Sequence, residues 1–220
     1  MSAILPQSFW FRVAHSCRRA DAIPRAHGRL LDLTEAQDLI DLGQLDGTPG
    51  WARARAAWNP AGIGFSFEVS DKVGDISPEP GRPSGVDAVQ LWIDTRDTRT
   101  IHRATRFCHR FIATLEPGPG RSVRVKLAQK PIARALADPP MTLAAAVQSR
   151  AERTLNGWRL ELFFPGQALV GYDPEENRRL GLAYQVTDPD RGDTFSGVGR
   201  EFPVGEDPSL WATLLLADAS

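Results

Sequence analysis

The stretch DTRDTRTIHRATRFCHRF, from Asp94 to Phe111, is dense in side chains that can do chemistry. Arginines stand at 96, 99, 103, 106 and 110, with His102, Cys108 and His109 threaded among them. On a helix this alternating three- and four-residue spacing would line one face and make an anion-binding stripe. Across a strand end, a loop and a new strand the same spacing has no geometric meaning. Asp94 and Asp97 would then pair with nearby arginines as an ordinary ion-paired surface. A zinc site built on His102, Cys108 and His109 meets a simple obstacle. Neighbours on a strand point to opposite faces, so Cys108 and His109 do not easily share one ion, and Cys108 reads as a small buried filler.

The elements around the stretch decide between these readings. RFCHRFIATL is crowded with aromatic and β-branched residues, which favour strand. We therefore expect loop over 94–106 and strand over 107–115, with Arg110 on the face opposite Phe107 and Phe111. In VDAVQLWID, Val89, Leu91 and Ile93 share one face while Gln90, Trp92 and Asp94 share the other. WARARAAWNPAGIGFSFEVSDK reads as a hairpin. WNPAG supplies the turn, and Ile63, Phe65, Phe67 and Val69 alternate with small or polar residues. In LAAAVQSRAERTLNGWRLELFFP the alanines favour helix, but Asn156-Gly157 is a strong hairpin signal. A hairpin is expected there, with 144–153 as its first arm. RLGLAYQVTD and LWATLLL supply two more strands, and PGQALVGYDPEENRRL is a connector with room for one short helical turn.

The 220 residues carry 26 Lys plus Arg against 27 Asp plus Glu, a net charge of -1. Such balance argues against a general nucleic-acid or membrane-surface binder. Seventeen prolines and nineteen glycines, spread along the chain, suit many short elements joined by turns. The first residues lack the charged start and long apolar run of a secretory leader, and no stretch has the length of a membrane span. Two cysteines, Cys17 and Cys108, are too few for a disulfide scaffold, though a single bridge stays open. The expectation is a soluble cytoplasmic protein. Many short strands with little helix imply an all-β, antiparallel sandwich or barrel.

The order of the pieces ARAAWNPAGIGFSFEVSD, DAVQLWID, GWRLELFFP, RLGLAYQVTDPDRG and DPSLWATLLL resembles the family-9 carbohydrate-binding module and its DOMON-like relatives. The resemblance covers roughly 45–216 and implies a single jelly-roll-like β-sandwich domain over 1–220. SFWFRVAHSC, within the extension 1–44, is expected to add a strand. In that family two tryptophans clamp a terminal sugar while Arg and Glu or Asn side chains hold its hydroxyls. Aligned on Asp87 and Asp207, the clamp positions here are Ser84 and Gly205, so neither aromatic wall is present. Gln90 falls where the family often has Glu, and Arg110 where the family has its binding Arg.

The resulting ligand-binding set is Arg110, Gln90, Trp92 and Glu68, with no catalytic residue and no cofactor. Gln90 and Arg110 converge if their strands are neighbours, in a pocket that is shallow without the clamps. Trp92 is either a stacking platform or second-layer packing. Trp51, Trp58, Trp158 and Trp211 read as core or corner residues. DPEEN, Asp173 to Asn177, is acidic enough to suggest structural calcium but lacks a spaced ligand loop. The function implied is a non-catalytic module for a carbohydrate or small polar ligand, or for a protein partner. The alternative is a hydrolase that brings Glu68 and Glu161 together on one sheet face.

Overall fold

The computed structural model describes residues 5–11, 13–47, 49–76 and 85–218. Among these residues eleven strands form one sheet: β1 (Ala14–Arg19), β2 (Ala52–Asn59), β3 (Gly62–Val69), β4 (Ala88–Asp94), β5 (Cys108–Pro117), β6 (Ser122–Gln129), β7 (Gln148–Arg153), β8 (Trp158–Pro165), β9 (Arg179–Asp188), β10 (Gly192–Phe195) and β11 (Ala212–Ala217). The order is β10-β9-β11-β1-β2-β3-β8-β7-β6-β5-β4, and β4 pairs again with β9. The sheet thus closes on itself. It is thin at two seams, where β1–β2 and β6–β7 each share only two residue pairs. These seams divide the ring into two facing walls, β2-β3-β8-β7 and β6-β5-β4-β9-β11-β1, and the result is a β-sandwich. No helix among the described residues is long and apolar enough to cross a membrane.

Period-2 alternation fills the space between the walls. Ile63, Phe65, Phe67 and Val69 from β3 meet Trp158, Leu160, Leu162 and Phe164 from β8 on one side. Val89, Leu91 and Ile93 from β4, Phe111, Ala113 and Leu115 from β5, and Leu180, Leu182, Tyr184 and Val186 from β9 face them. Trp58, Trp158 and Trp211 are buried, as expected of corner residues, whereas Trp51 is half-buried beneath the Arg191 guanidinium.

Three expectations need correction. SFWFRVAHSC is strand only from Ala14, after a helical turn at Gln7–Trp10, and β1 runs parallel to both β11 and β2 in an otherwise antiparallel sheet. The arm expected over 144–153 begins at Gln148, because Leu143–Ala146 form a 3-10 turn. Alanines offer little to a pleated surface, and the turn lets Ala144 and Val147 pack on the core instead. The hairpin itself is present. A Cβ at Gly157 would lie 1.9 Å from the Val69 carbonyl oxygen, so the turn admits glycine alone. The single bridge left open between Cys17 and Cys108 is absent: both are free and buried, in different clusters.

Each wall is covered on part of its outer face. Ile23, Leu30 and Leu31 lie over Ala57 and Phe163 on the β2-β3-β8 wall. On the other wall, Ala104, Ile132, Val198 and Val204 cover Trp92, Cys108 and Ala183. The second cover stops short of the upper ends of β4 and β9, and a depression opens there.

Candidate functional site

The Asp94–Phe111 stretch leaves β4 at Asp94, loops, and enters β5 at Cys108. Its charges hold the loop. Asp94 accepts the backbone N–H of Arg96 and Thr98 at 2.9 and 2.6 Å. Asp97 is gripped by Arg99, Arg179 and Thr213 at 3.0, 3.1 and 2.8 Å. Arg96 and Arg106 lie over the Phe107 ring, and Arg103 donates to the Arg134 carbonyl. Cys108 and His109 face opposite sides of β5. His109 stacks on Phe111 between the walls, while Cys108 belongs to the outer cluster and burial pushes its thiol up to about 12.

Arg110 is placed differently from the other four arginines. It projects from the outer face of β5 opposite Trp92, and its guanidinium lies 5.6 Å from the centroid of that indole. Its Nη2 donates to Gln90 Oε1 at 2.7 Å. From there a single chain of hydrogen bonds crosses the wall. Gln90 donates to Gln185 at 3.3 Å, Gln185 to Thr187 at 3.3 Å, and Thr187 to Asp193 at 2.7 Å. Arg200 Nε closes the chain on Asp193 at 2.9 Å. Burial alone would raise the pKa of Asp193, but hydrogen bonds from Thr187, Arg200 and Gln185 hold it below the usual carboxylate value. These residues, with Phe195, Val204 and Gly205, line an open depression of about 330 Å³.

Among the described residues, no carboxylate lies within ion-pair distance of Arg110, and burial lowers its pKa. Other arginines drawn into the fold pair with acids, as buried Arg55 does with Asp38 and partly buried Arg159 with Glu68. Trp92 is 3% exposed, so it cannot offer a stacking face to a ligand; it supports Arg110 from below. A Cβ at Gly205 would lie 3.4 Å from Trp92 Cζ2, which puts this residue on the rim, where its lack of a side chain leaves the depression open. Ser84 lies outside the described residues.

The structure therefore brings Arg110, Gln90 and Trp92 together and leaves Glu68 out. Glu68 lies on the outer face of the opposite wall, ion-paired with Arg159 at 3.0 Å and Arg55 at 3.3 Å. Burial alone would raise its pKa, but these two cations hold it below the ordinary value. Glu161 shares that face, yet it is 3% exposed and accepts the backbone N–H of Leu30 and Asp32 at 2.7 and 3.0 Å. Both carboxylates of the hydrolase alternative are thus engaged in holding structure. Glu161→Leu is expected to free the segment over Phe163, losing about 2–3 kcal/mol as two buried donors go unpaired. Hydrogen exchange at Leu30 and Asp32 should accelerate most. Unchanged protection at both amides would contradict this role. In DPEEN, Asp173 accepts the backbone N–H of Glu175 and Glu176, closing a turn.

Gln185, Thr187, Asp193 and Arg200 escaped the sequence reading. The alternation in LAYQVTD does put Gln185 and Thr187 opposite Tyr184 and Val186, on an outer face. The missing signal was the pairing of β9 with β4, which sets Gln90 directly across from Gln185.

No family model and no curated protein matches this chain. Solved structures similar to it in fold include two from one organism. One is described as a carbohydrate binding module family 9 from Caldicellulosiruptor kristjanssonii in complex with cellotriose. It is 12% identical, covers 94% of this chain and 95% of its own, and has a TM-score of 0.59. The other, described as a carbohydrate binding module family 9 from the same organism in complex with glucose, gives 13% identity, 94% and 97% coverage, and a TM-score of 0.59.

Proposed function

We propose that this chain is a non-catalytic module that binds a carbohydrate at the depression on the outer face of β4, β5, β9 and β10. The carrying observation is Arg110: a half-buried guanidinium without an acidic partner among the described residues, fixed by Gln90 and the Trp92 ring in an open depression. A planar donor fork held in place suits vicinal hydroxyls or another oxygen-rich group. Modules of similar fold held cellotriose and glucose, which supports the choice of ligand class. Stacking area is small because Trp92 is covered and Gly205 has no side chain. A simple sugar should bind in the millimolar range, about 4 kcal/mol at one millimolar. Calorimetric or NMR titration of glucose, xylose and their short oligomers tests this. Wild type should show weak saturable binding that Arg110→Ala removes. Micromolar binding that survives Arg110→Ala would place the site elsewhere.

A further inference from the structure

We propose that the ligand of this depression carries an anion, and that the preferred sugar is a uronic acid whose carboxylate is held by Arg110. The inference rests on the carbohydrate reading above and narrows it.

Three observations carry it. The first is charge. The depression is lined by two guanidinium groups, Arg110 and Arg200, and one carboxylate, Asp193. Asp193 is already paired with Arg200, so among the described residues one positive charge at Arg110 stays uncompensated. The second is hydrogen-bond polarity. Every bond in the chain from Arg110 to Asp193 runs the same way, so the oxygens of Gln90, Gln185, Thr187 and Asp193 each already accept a donor. Spare N–H groups remain on Arg110 Nη1 and on the Gln90 amide, while the Gln185 amide donates to both Thr187 and Asp193. Beneath them, Arg110 Nε and Trp92 Nε1 are buried without an acceptor among the described residues. A hydroxyl must both give and take to be satisfied, whereas a carboxylate only accepts. The third is desolvation. Arg110 has left part of its hydration behind with nothing anionic in return among the described residues, and its lowered pKa reflects that burial. An incoming carboxylate would restore that balance as a charge-assisted pair.

The same chemistry is offered by a sugar phosphate, so the test has arms for both. The full chain is titrated at low salt with glucose, glucuronate, galacturonate and glucose 6-phosphate, for wild type and for Arg110→Gln. Glucuronate is expected to bind about tenfold more tightly than glucose. The advantage should shrink as salt rises through the physiological range, and the ratio should fall to about one in Arg110→Gln. Tighter binding of glucose 6-phosphate than of either uronate would overturn the uronate assignment while keeping the anion. Equal affinity for glucose and glucuronate, both lost in Arg110→Ala, would overturn this inference and leave the carbohydrate reading standing. A uronate preference that persists in Arg110→Gln would also overturn it. No binding of any of the four would remove both.

Discussion

Lys72→Met is expected to lower folding stability by about 3–5 kcal/mol, one of the two largest effects we anticipate in this protein. Lys72 follows β3 and is nearly sealed from solvent, its side chain 3% exposed. Its ammonium lies 3.0 Å from Asp87 and 2.9 Å from Asp188, two fully buried carboxylates that precede β4 and end β9. The remaining capacity is met locally. Trp158 Nε1 donates to Asp87 at 3.0 Å, and the backbone N–H groups of Asp190 and Arg191 donate to Asp188 at 2.8 and 3.1 Å. Burial alone would lower the lysine pKa, but hydrogen bonds to Asp188 and Asp87 hold it above the ordinary value. Burial would likewise raise Asp188, and Lys72 together with the backbone donors keeps it low. The signs fix the window. The lysine contribution is full below about pH 10 and lost above it, and the aspartate contribution is full above about pH 4 and lost below it. Methionine preserves length and bulk but removes the ammonium that both buried carboxylates face. Chemical denaturation near neutral pH should show the loss, with melting lowered on the order of 10 °C. Adding Asp87→Asn and Asp188→Asn to Lys72→Met should recover much of it, since the cost is uncompensated charge. A Lys72→Met protein as stable as wild type would show that the triad is solvated.

What the sequence made legible follows from what is local. The alternation of Ile63 to Val69 is a property of one strand, and the fold places all four in the core. Gln90 and Arg110 could be assigned outer faces for the same reason, and their hydrogen bond needed only that consecutive strands pair. Glu68 lies apart from Arg110 because facing outward does not say from which wall. That depends on the long-range pairing of β3 with β8, which carries it away from β4 and β5. The N-terminal segment was hard for a related reason. β1 reaches β11 across nearly the whole chain in a parallel register, and no turn signal announces such a pair. Ile23, Leu30 and Leu31 show no helical or strand period, so nothing marked them as a cover for Ala57 and Phe163.

Stability should fall steeply as pH drops from about 6.5 towards 4, and two buried histidines are the cause. His15 on β1 is 1% exposed, and its Nδ1 accepts the Ile40 N–H at 3.1 Å, which leaves Nε2 as the protonated nitrogen of a neutral ring. His109 is fully buried and stacks on Phe111, with 6.1 Å between ring centroids. Burial lowers both to about 4, in His109 against a smaller upward pull from the Val170 backbone. In the unfolded chain a histidine titrates near 6.5. Between these values the unfolded state binds the extra protons, so lowering the pH favours unfolding. The contribution is whole above about pH 6.5 and lost as pH falls through the folded value, about 3 kcal/mol for each ring. Together they amount to a large share of the 5–15 kcal/mol typical of a folded domain. Asp188, Asp193 and Asp207 are held low and titrate below this window, so they do not mask the effect. Urea unfolding at pH 7.5, 6.5, 5.5 and 4.5 should give a falling midpoint. Between pH 6 and 5 the slope should approach two protons, about 2.7 kcal/mol per pH unit. His109→Phe removes one titrating ring from a site that already stacks aromatics, and should halve that slope while leaving neutral-pH stability within about 1.5 kcal/mol. A flat profile between pH 7 and 5 would mean that these rings titrate in the fold as they do in the unfolded chain, and a slope indifferent to His109→Phe would mean so for His109.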